Sequence, residues 1–562
     1  MGRDALTTRA LIIETTIAFT IALAAAIANT WPLASRLGTA ARDRVDYLYE
    51  AWLVDWIGHS VTAPSRLFDP NLFHPASAAA TGADPLLGVA VPLAPLRWFG
   101  FGPLAVHNVG LLLATAFACA AGYACGRVVT GNRAGGLVLG AAMGFGPVLT
   151  TEGGHIQIVA CAGLPLAVLG AWLVADAARA GRSSSLAVAL LSLALAWQLS
   201  VSFYVAFYAA VAAAVVFAVE LRQLRRGDLV RLSLGGLAFA AFAAPLIVQY
   251  QRRPEPVPSL GVALARVGPL SGDFVHTHPK LLLWGALSGR GSGWFALTGG
   301  AFPGLAMVAF AAFGAAHAWR SRYDDATRRV ARIGVALVAT GGLLALGAAP
   351  TGWRRFAPWR FVLQIVPPMR GLRAANRAVL VALVGMGLLA ALAIAPLARR
   401  VRIAPMALGM ALAFVIALEG FGSWGATPQI EVRAVDRYLA SDPTPGAVLY
   451  LPLPIGDTPT VFEWSQAEVA FRTTAHHRAT VNGYGSYVPE SYFAMKRAVA
   501  PFPDDASVAA LHELGVRFVV VDRAAVKDTP WSGLLDPATV VHAKPEVRLV
   551  REFDADLLYE IR

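Results

Sequence analysis

The sequence is poor in charged residues, and this shortage excludes most soluble proteins. Only 15% of the 562 residues are charged, whereas 56% are hydrophobic and the mean hydropathy is +0.56. A soluble domain of this length would be far more polar. The composition therefore predicts a polytopic α-helical membrane protein.

Cysteine is scarce as well, and nucleotide-binding motifs are missing. Cys119, Cys125 and Cys161 all fall within hydrophobic stretches, so we expect no disulfide and no metal site built from cysteine. The sequence contains no Walker A motif, and no GxGxxG follows a strand-like run. Both absences argue against an ATP-driven transporter and against a cytoplasmic nucleotide-sugar transferase.

The formal charge of +12 comes almost entirely from arginine, because the chain has only four lysines. The arginines cluster in short segments between hydrophobic stretches. In that position positive charge orients membrane helices, so we expect no nucleic-acid partner.

The hydrophobic stretches predict about eleven transmembrane helices, each near the roughly 20 residues that a bilayer requires. They are 10–28, 104–126, 133–150, 156–177, 184–200, 202–219, 232–250, 302–318, 332–349, 376–396 and 403–421. With a cytoplasmic N-terminus, every loop predicted to be cytoplasmic is rich in arginine, as the positive-inside rule requires. The residues AIA before Asn29 also fit a signal-peptide cleavage site, but the length of the stretch favours a retained helix.

This topology divides the chain into a transmembrane module, 1–421, and an extracytoplasmic α/β domain, 422–562. Two further external segments, 29–103 and 251–301, interrupt the transmembrane module. The predicted location is the bacterial cytoplasmic membrane, with the C-terminal domain on the outer side.

The first external segment contains an acidic and aromatic helix. Apolar residues recur at helical spacing after Asp46, and Asp46 and Glu50 share one face. Trp52 and Trp56 are typical of a helix that lies on a membrane with tryptophans at headgroup level, and His59 lies on another face. A purely structural helix with solvated carboxylates would give the same pattern.

Further along the same segment, Asp84 precedes Pro85 and the apolar run 86–99. This order predicts that Asp84 is the N-cap of a helix.

The C-terminal domain has the pattern of a small α/β fold. Residues 447–453 and 516–521 are strand-like runs. Residues 506–514 form a helical run that ends at Gly515. The stretch NGYGSY at 482–487 offers Asn482 and Tyr484, whose amide and ring can hydrogen-bond to a sugar or stack on it. A glycine-rich turn would give the same pattern.

Short motifs along almost the whole chain resemble those of bacterial membrane proteins of the GT-C glycosyltransferase superfamily. The N-terminal motifs are TWP at 30–32, Asp46 followed by Trp52, Trp56 and His59, LFD at 67–69, DPLLG at 84–88 and GHIQ at 154–157. The others are QLS at 198–200, FPG at 302–304, GLR at 371–373 with Arg377, NGY at 482–484 and LGVR at 514–517.

The resemblance implies an inverting enzyme that transfers a sugar from a polyprenyl-phosphate carrier to a cell-envelope glycan, lipid or protein acceptor outside the cytoplasm. It also implies that an aspartate of the first external loop is the general base. Asp46 matches that position best, and Asp43 is the competing candidate. The second-tier candidates are Glu50, His59, Asp84, His155 and Gln157.

The donor phosphate requires positive charge, and arginine binds phosphate oxygens in a bidentate manner. The external loop before the tenth predicted span contains Arg370, Arg373 and Arg377, which we predict to bind the phosphate. The alternative is that these arginines extend to lipid headgroups or pair with carboxylates.

Two other functions fit the same architecture: a non-catalytic transporter or flippase of lipid-linked glycans, and an oligosaccharide ligase or polymerase. The long first external loop favours the transferase. We expect no cofactor, and a role for a divalent cation is left open.

Overall fold

The computed structural model describes residues 8–253, 259–266, 274–275, 277–287, 301–320, 325–349, 352–372, 374–424, 430, 432–454 and 464–562. The helices of its N-terminal half are α1 (Thr8–Asn29), α2 (Asp46–Ser60), α3 (Leu87–Trp98), α4 (Pro103–Thr130), α5 (Arg133–Phe145), α6 (Pro147–Thr151), α7 (Ile156–Val159), α8 (Gly163–Arg179), α9 (Ser185–Val201), α10 (Phe203–Glu220), α11 (Arg226–Gln251) and α12 (Leu260–Arg266). Those that follow are α13 (Leu305–Arg320), α14 (Asp325–Ala345), α15 (Pro358–Ile365), α16 (Val379–Val401), α17 (Pro405–Glu419), α18 (Ala434–Ser441), α19 (Trp464–Arg472), α20 (Glu490–Val499), α21 (Asp505–Glu513) and α22 (Pro537–Ala543).

Each of the eleven predicted hydrophobic stretches coincides with helix. Seven helical segments of the described chain are long and apolar enough to cross a membrane: Thr8–Asn29, Pro103–Thr130, Arg133–Thr151, Ile156–Arg179, Phe203–Gln223, Arg226–Gln251 and Ala375–Val401. Shorter apolar helices include α9 and α17. An apolar chain in lipid must satisfy its backbone internally, which a helix does. The protein is a multi-pass membrane protein.

The chain forms two compact units. Unit 1 comprises Met1–Ser35, Val109–Pro245 and Val257–Ala426. Unit 2 comprises Arg36–Asn108, Leu246–Pro256 and Thr427–Arg562. Residues 36–103 of the predicted first external segment therefore belong to the same unit as the C-terminal domain.

Unit 1 is a helical bundle centred on α16, which is buried along almost its whole length. Helices α5, α13 and α14 pack against it. Gly314 of α13 permits one of these contacts, because a Cβ atom there would lie 1.9 Å from the carbonyl oxygen of Leu389. Small residues at such crossings let helix backbones approach closely within a membrane.

Ion pairs join helix ends within unit 1. Glu14 near the start of α1 pairs with Arg127 at 2.9 Å and Arg133 at 2.8 Å. Arg329 of α14 pairs with Glu220 of α10 at 3.0 Å. These arginines, which we predicted to orient the helices, also bind helix ends to one another.

Unit 2 contains a four-stranded mixed sheet. Its strands are β1 (Ala447–Leu451), β2 (Val516–Asp522), β3 (Val547–Glu552) and β4 (Asp556–Ile561). In the order β1-β2-β4-β3, β1 and β2 are parallel, and β4 runs antiparallel to both β2 and β3. The first two strands and α21 with its terminal Gly515 confirm the sequence prediction, whereas β3 and β4 were missed.

The predicted environment of α2 is wrong. The helix exists, but Trp52 and Trp56 are only 2% and 4% exposed, and nearly every residue from Tyr47 to Ser60 is buried. Helices α3 and α19 pack against it. It is thus a core helix of unit 2 instead of an amphipathic helix on the membrane surface.

The capping role predicted for Asp84 is also wrong. Helix α3 begins at Leu87, and its N-cap residue is Leu86 in the left-handed conformation, with φ of 50° and no side-chain cap. Asp84 lies further upstream and is half-buried.

Candidate functional site

The first turn of α2 carries the predicted base Asp46 against the predicted sugar-binding residue Tyr484. The Tyr484 hydroxyl donates a hydrogen bond of 2.7 Å to Oδ1 of Asp46. The Tyr484 ring is 3% exposed and packs edge-on against Tyr49, with ring centroids 5.1 Å apart. Burial, reinforced by the charge of Asp46, raises the pKa of Tyr484 above its usual range. The phenol therefore stays protonated and acts as a donor to the carboxylate.

Asp43, the competing base, holds the start of the same helix. Its Oδ1 accepts hydrogen bonds from the backbone N–H groups of Val45 at 2.8 Å and Tyr47 at 3.2 Å. Such bonds satisfy backbone donors that a helix start leaves without intrahelical partners. The geometry thus gives Asp43 a capping function.

Glu50 lies one turn further along α2 and is 4% exposed. Its Oε2 is 3.9 Å from Nε2 of His107, which is completely buried. Glu50 shares a helical face with Asp46, as the spacing predicts, but it belongs to the interior of the unit.

The acceptor contact predicted for Asn482 conflicts with its placement. The side chain is 0% exposed. Its Oδ1 accepts from the backbone N–H of Tyr450 at 2.7 Å, and its Nδ2 donates to the Tyr450 carbonyl at 2.9 Å and to Gln466 at 3.0 Å. Asn482 therefore extends the edge of β1, and its amide is already used by the protein.

The C-terminal half of α2 carries a cluster of which only His59 was among the predicted site residues. Asp55, only 3% exposed, accepts from Arg97 Nε at 2.8 Å and lies 2.7 Å from His477 Nε2. The rings of His59 and His477 stack with centroids 4.1 Å apart. Burial, with the charges of His477 and Arg97, lowers the pKa of His59 to about 4. The spacing of Asp55 and His59 was the only signal in the sequence, because Arg97 and His477 are distant in the chain.

In unit 1, the predicted phosphate ligand Arg377 binds a carboxylate. Arg377 Nη2 lies 3.0 Å from Glu152 Oε2, and His155 Nδ1 lies 2.9 Å from the same oxygen. Burial raises the pKa of Glu152, but the charges of Arg377 and His155 outweigh it and lower the pKa to about 2. Oε1 of nearby Gln157 is buried with no hydrogen-bond partner among the described residues. Glu152 is therefore ionised in this unit, with Arg377 and His155 at the same carboxylate oxygen.

The remaining arginines of the predicted phosphate site are separate cases. Arg370 Nε donates to the Leu363 carbonyl at 2.9 Å. Arg373 lies outside the described residues. Within the described parts of the chain, no group of three or more histidine, cysteine, aspartate or glutamate side chains could hold a metal ion.

No protein-family model matches the chain, and no curated protein matches it in sequence. Solved structures do match. The arabinofuranosyltransferase AftD from mycobacteria aligns over 100% of this chain with a TM-score of 0.56 and 15% identity, although this chain spans only 42% of that protein's length. The oligosaccharyltransferase of Archaeoglobus fulgidus aligns over 96% of this chain and 73% of its own, with a TM-score of 0.50 and 12% identity. ArnT from Cupriavidus metallidurans aligns over 97% of both chains with a TM-score of 0.40 and 15% identity. The chain shares its fold with AftD and with the archaeal oligosaccharyltransferase, in agreement with the GT-C resemblance of its motifs.

Proposed function

We propose that the protein is a membrane glycosyltransferase that moves a sugar from a polyprenyl-phosphate donor to a cell-envelope acceptor on the extracytoplasmic side. In the proposed inverting reaction, an acceptor hydroxyl attacks the anomeric carbon and the carbon–oxygen bond to the phosphate breaks. The polyprenyl phosphate leaves with the bonding electrons, and Asp46 takes the hydroxyl proton. Because a lipid phosphate is a good leaving group, one carboxylate base suffices.

The observation that carries this proposal is the hydrogen bond from Tyr484 to Asp46 at the start of α2. A general base must be held in a fixed orientation with respect to the hydroxyl that it deprotonates. Asp46 is half-buried, and a buried, protonated phenol directs its carboxylate. Asp46 is also the aspartate that best matches the motif order of the GT-C resemblance, with Asp43 as the competing candidate.

The hydrogen bonds of Asp43 support Asp46 over Asp43 as the base. Two backbone N–H groups stabilise the ionised form of the Asp43 carboxyl group, and these hydrogen bonds weaken when the group is protonated. Asp43 would therefore be a poor proton acceptor, and its proposed role is to fix the first turn that carries Asp46.

The donor phosphate is assigned to arginines that precede α16, as an extension of the same proposal. Arg370 is half-buried and uses Nε for a backbone carbonyl, so its Nη groups are proposed to face the phosphate. Arg377 is the weaker ligand, because Glu152 already neutralises its charge.

The test uses a deletion strain complemented with full-length wild-type, Asp46→Asn or Asp43→Asn protein. Lipid-linked and cell-envelope glycans are compared by mass spectrometry, with protein amount in the membrane measured in parallel. Asn at position 46 can still accept from Tyr484, and Asn at position 43 can still cap the helix, so both variants should fold. We expect Asp46→Asn to leave the deletion phenotype uncorrected and Asp43→Asn to restore the glycan.

Full restoration by Asp46→Asn would remove this residue from the mechanism. If Asp43→Asn alone loses activity, the base is Asp43 instead of Asp46. If the deletion strain accumulates an intact lipid-linked glycan instead of missing a sugar, a transporter or ligase replaces the transferase.

A further inference from the structure

The segment 476–487 of the C-terminal domain holds α2 at two places. At the N-terminal end of the helix, Tyr484 donates to Asp46. Asp55 lies nine residues after Asp46 on the same helix, and its Oδ2 is 2.7 Å from Nε2 of His477. The helix rise of about 1.5 Å per residue separates the two attachment points by about 13 Å along the axis.

The two attachments lie on opposite faces of α2. Each residue advances the side chain by about 100° around the axis, so Asp55 points about 180° away from Asp46. A helix fixed on one face can still roll toward that face. Attachments on opposite faces, one near each end, oppose both rotation about the axis and sliding along it.

His477 is itself held in an unusual backbone conformation. Its φ of 51° lies in the left-handed region, which only a few per cent of non-glycine residues adopt, with asparagine, aspartate and histidine enriched among them. Such conformations persist when surrounding contacts impose them. Here the contacts are Asp55 at Nε2 and the stacked ring of His59.

Arg97 completes the attachment at Asp55. Its Nε donates to Asp55 Oδ1, while His477 lies against Oδ2 of the same carboxylate. Gly58 leaves room for this arginine, because a Cβ atom there would lie 3.3 Å from Arg97 Cδ. The buried carboxylate thus has a charged partner on one oxygen and the imidazole on the other.

We propose that His477 is a positioning residue for the base Asp46, acting through Asp55 and the fixed orientation of α2. This inference rests on the proposed function in naming Asp46 as the base. This positioning role requires a hydrogen-bond donor to Asp55 at the place that Nε2 of the imidazole occupies. A shift of Asp46 by about 1 Å is enough to reduce a transfer rate by about a hundredfold.

Two substitutions at one position test the requirement in the full-length membrane protein. The side-chain nitrogen of His477→Gln lies as far from the backbone as Nε2 and can donate to Asp55. The side-chain nitrogen of His477→Asn is one bond closer to the backbone and cannot reach Asp55, although asparagine tolerates the left-handed conformation well. The matched control is His512→Asn, since His512 is exposed and its Nε2 lies 2.8 Å from the backbone carbonyl oxygen of Arg562.

Two readouts separate this inference from the proposed function. The first is the glycan that the deletion strain lacks, normalised to protein amount. The second is hydrogen exchange of peptides covering α2, which needs no turnover. We expect His477→Asn to lower glycan formation by about ten- to a hundredfold and to speed exchange in α2. His477→Gln should stay within about threefold of wild type in glycan formation, with unchanged exchange.

Wild-type glycan formation in His477→Asn, or equal losses in both variants, would overturn the positioning role. If the deletion strain lacks no sugar, the proposed function fails, and exchange alone decides whether His477 fixes the helix. Identical exchange in the two variants would then show that it does not.

Discussion

The Tyr484 hydroxyl donates a hydrogen bond of 2.7 Å to Asp46, a residue 438 positions earlier in the chain. The donor is 3% exposed, and burial and the charge of Asp46 keep its pKa above the usual range. The phenol therefore stays protonated over the whole physiological pH range and orients the carboxylate.

Removing that hydroxyl should slow transfer while leaving the fold intact. Tyr484→Phe keeps the ring packing on Tyr49 but loses a hydrogen bond to a charged group, which is worth about 1.5–3 kcal/mol. We expect glycan formation to fall about tenfold or more. The measurement is the product glycan per unit of membrane protein. The control is Tyr438→Phe, whose ring packs on Phe553; an equal loss there would remove the specific role of Tyr484.

Substituting Asn482 should lower stability instead of activity. Asn482→Ala removes the hydrogen-bond partner of the Tyr450 backbone N–H and C=O groups and of the Gln466 side chain, all of them buried. Leaving a buried polar group unsatisfied costs about 1–3 kcal/mol. We expect a lower thermal midpoint in detergent and less protein in the membrane, with glycan formation per molecule unchanged. Wild-type stability with lost activity would restore the sugar-binding interpretation.

Substitutions of Glu152 and Arg377 should have strongly coupled effects on the stability of the folded protein. Removing one partner of a buried ion pair costs about 3–5 kcal/mol, because it leaves an uncompensated charge. We expect Glu152→Gln and Arg377→Gln each to lower the thermal midpoint, and the double variant to be less destabilised than the sum of the two. Additive effects would contradict coupling. The exposed pair Arg523 and Glu552 provides the control, where Glu552→Gln should have little effect.

His59 should make the protein sensitive to acid. Its pKa in the folded protein is about 4, against an ordinary value of 6.5, because burial and then the charges of His477 and Arg97 disfavour the imidazolium. The unfolded chain therefore gains a proton below about pH 6.5 that the folded protein does not gain until about pH 4. Stability is full above this window and declines as the pH falls through it.

The corresponding measurement compares thermal midpoints at pH 7.5 and pH 5. His59→Gln should show a smaller decrease between these pH values than wild type. Some decrease will remain, because burial also lowers the pKa of His476, to about 3. An unchanged decrease in His59→Gln would contradict the assignment.

The transmembrane helices could be predicted because hydrophobic length alone encodes them. The interior of unit 2 could not. Periodicity identifies α2 as a helix and places Asp46 and Glu50 on one face, but it does not reveal what covers the other faces. Trp52 and Trp56 therefore looked like membrane anchors, whereas they lie inside the unit.

The site was predicted as separate residues without their contacts. Asp46 and Tyr484 were both identified, but no local pattern relates residues so far apart in the chain. Asp55 and Arg97 were missed because an isolated charge gives no sign of its partner. Strand β3, with the sequence VRLVRE, was missed because charged residues interrupt its apolar alternation, as is common on an edge strand.

The assembly of unit 2 from three stretches of the chain has a consequence for biosynthesis. At a translation rate of about 5–20 residues per second, the ribosome reaches Tyr484 about 20–90 s after Asp46. During that interval α2 lacks the segment that fixes both of its ends. The newly made segment must stay unaggregated until the last quarter of the protein arrives, so chaperones have a defined period in which to act.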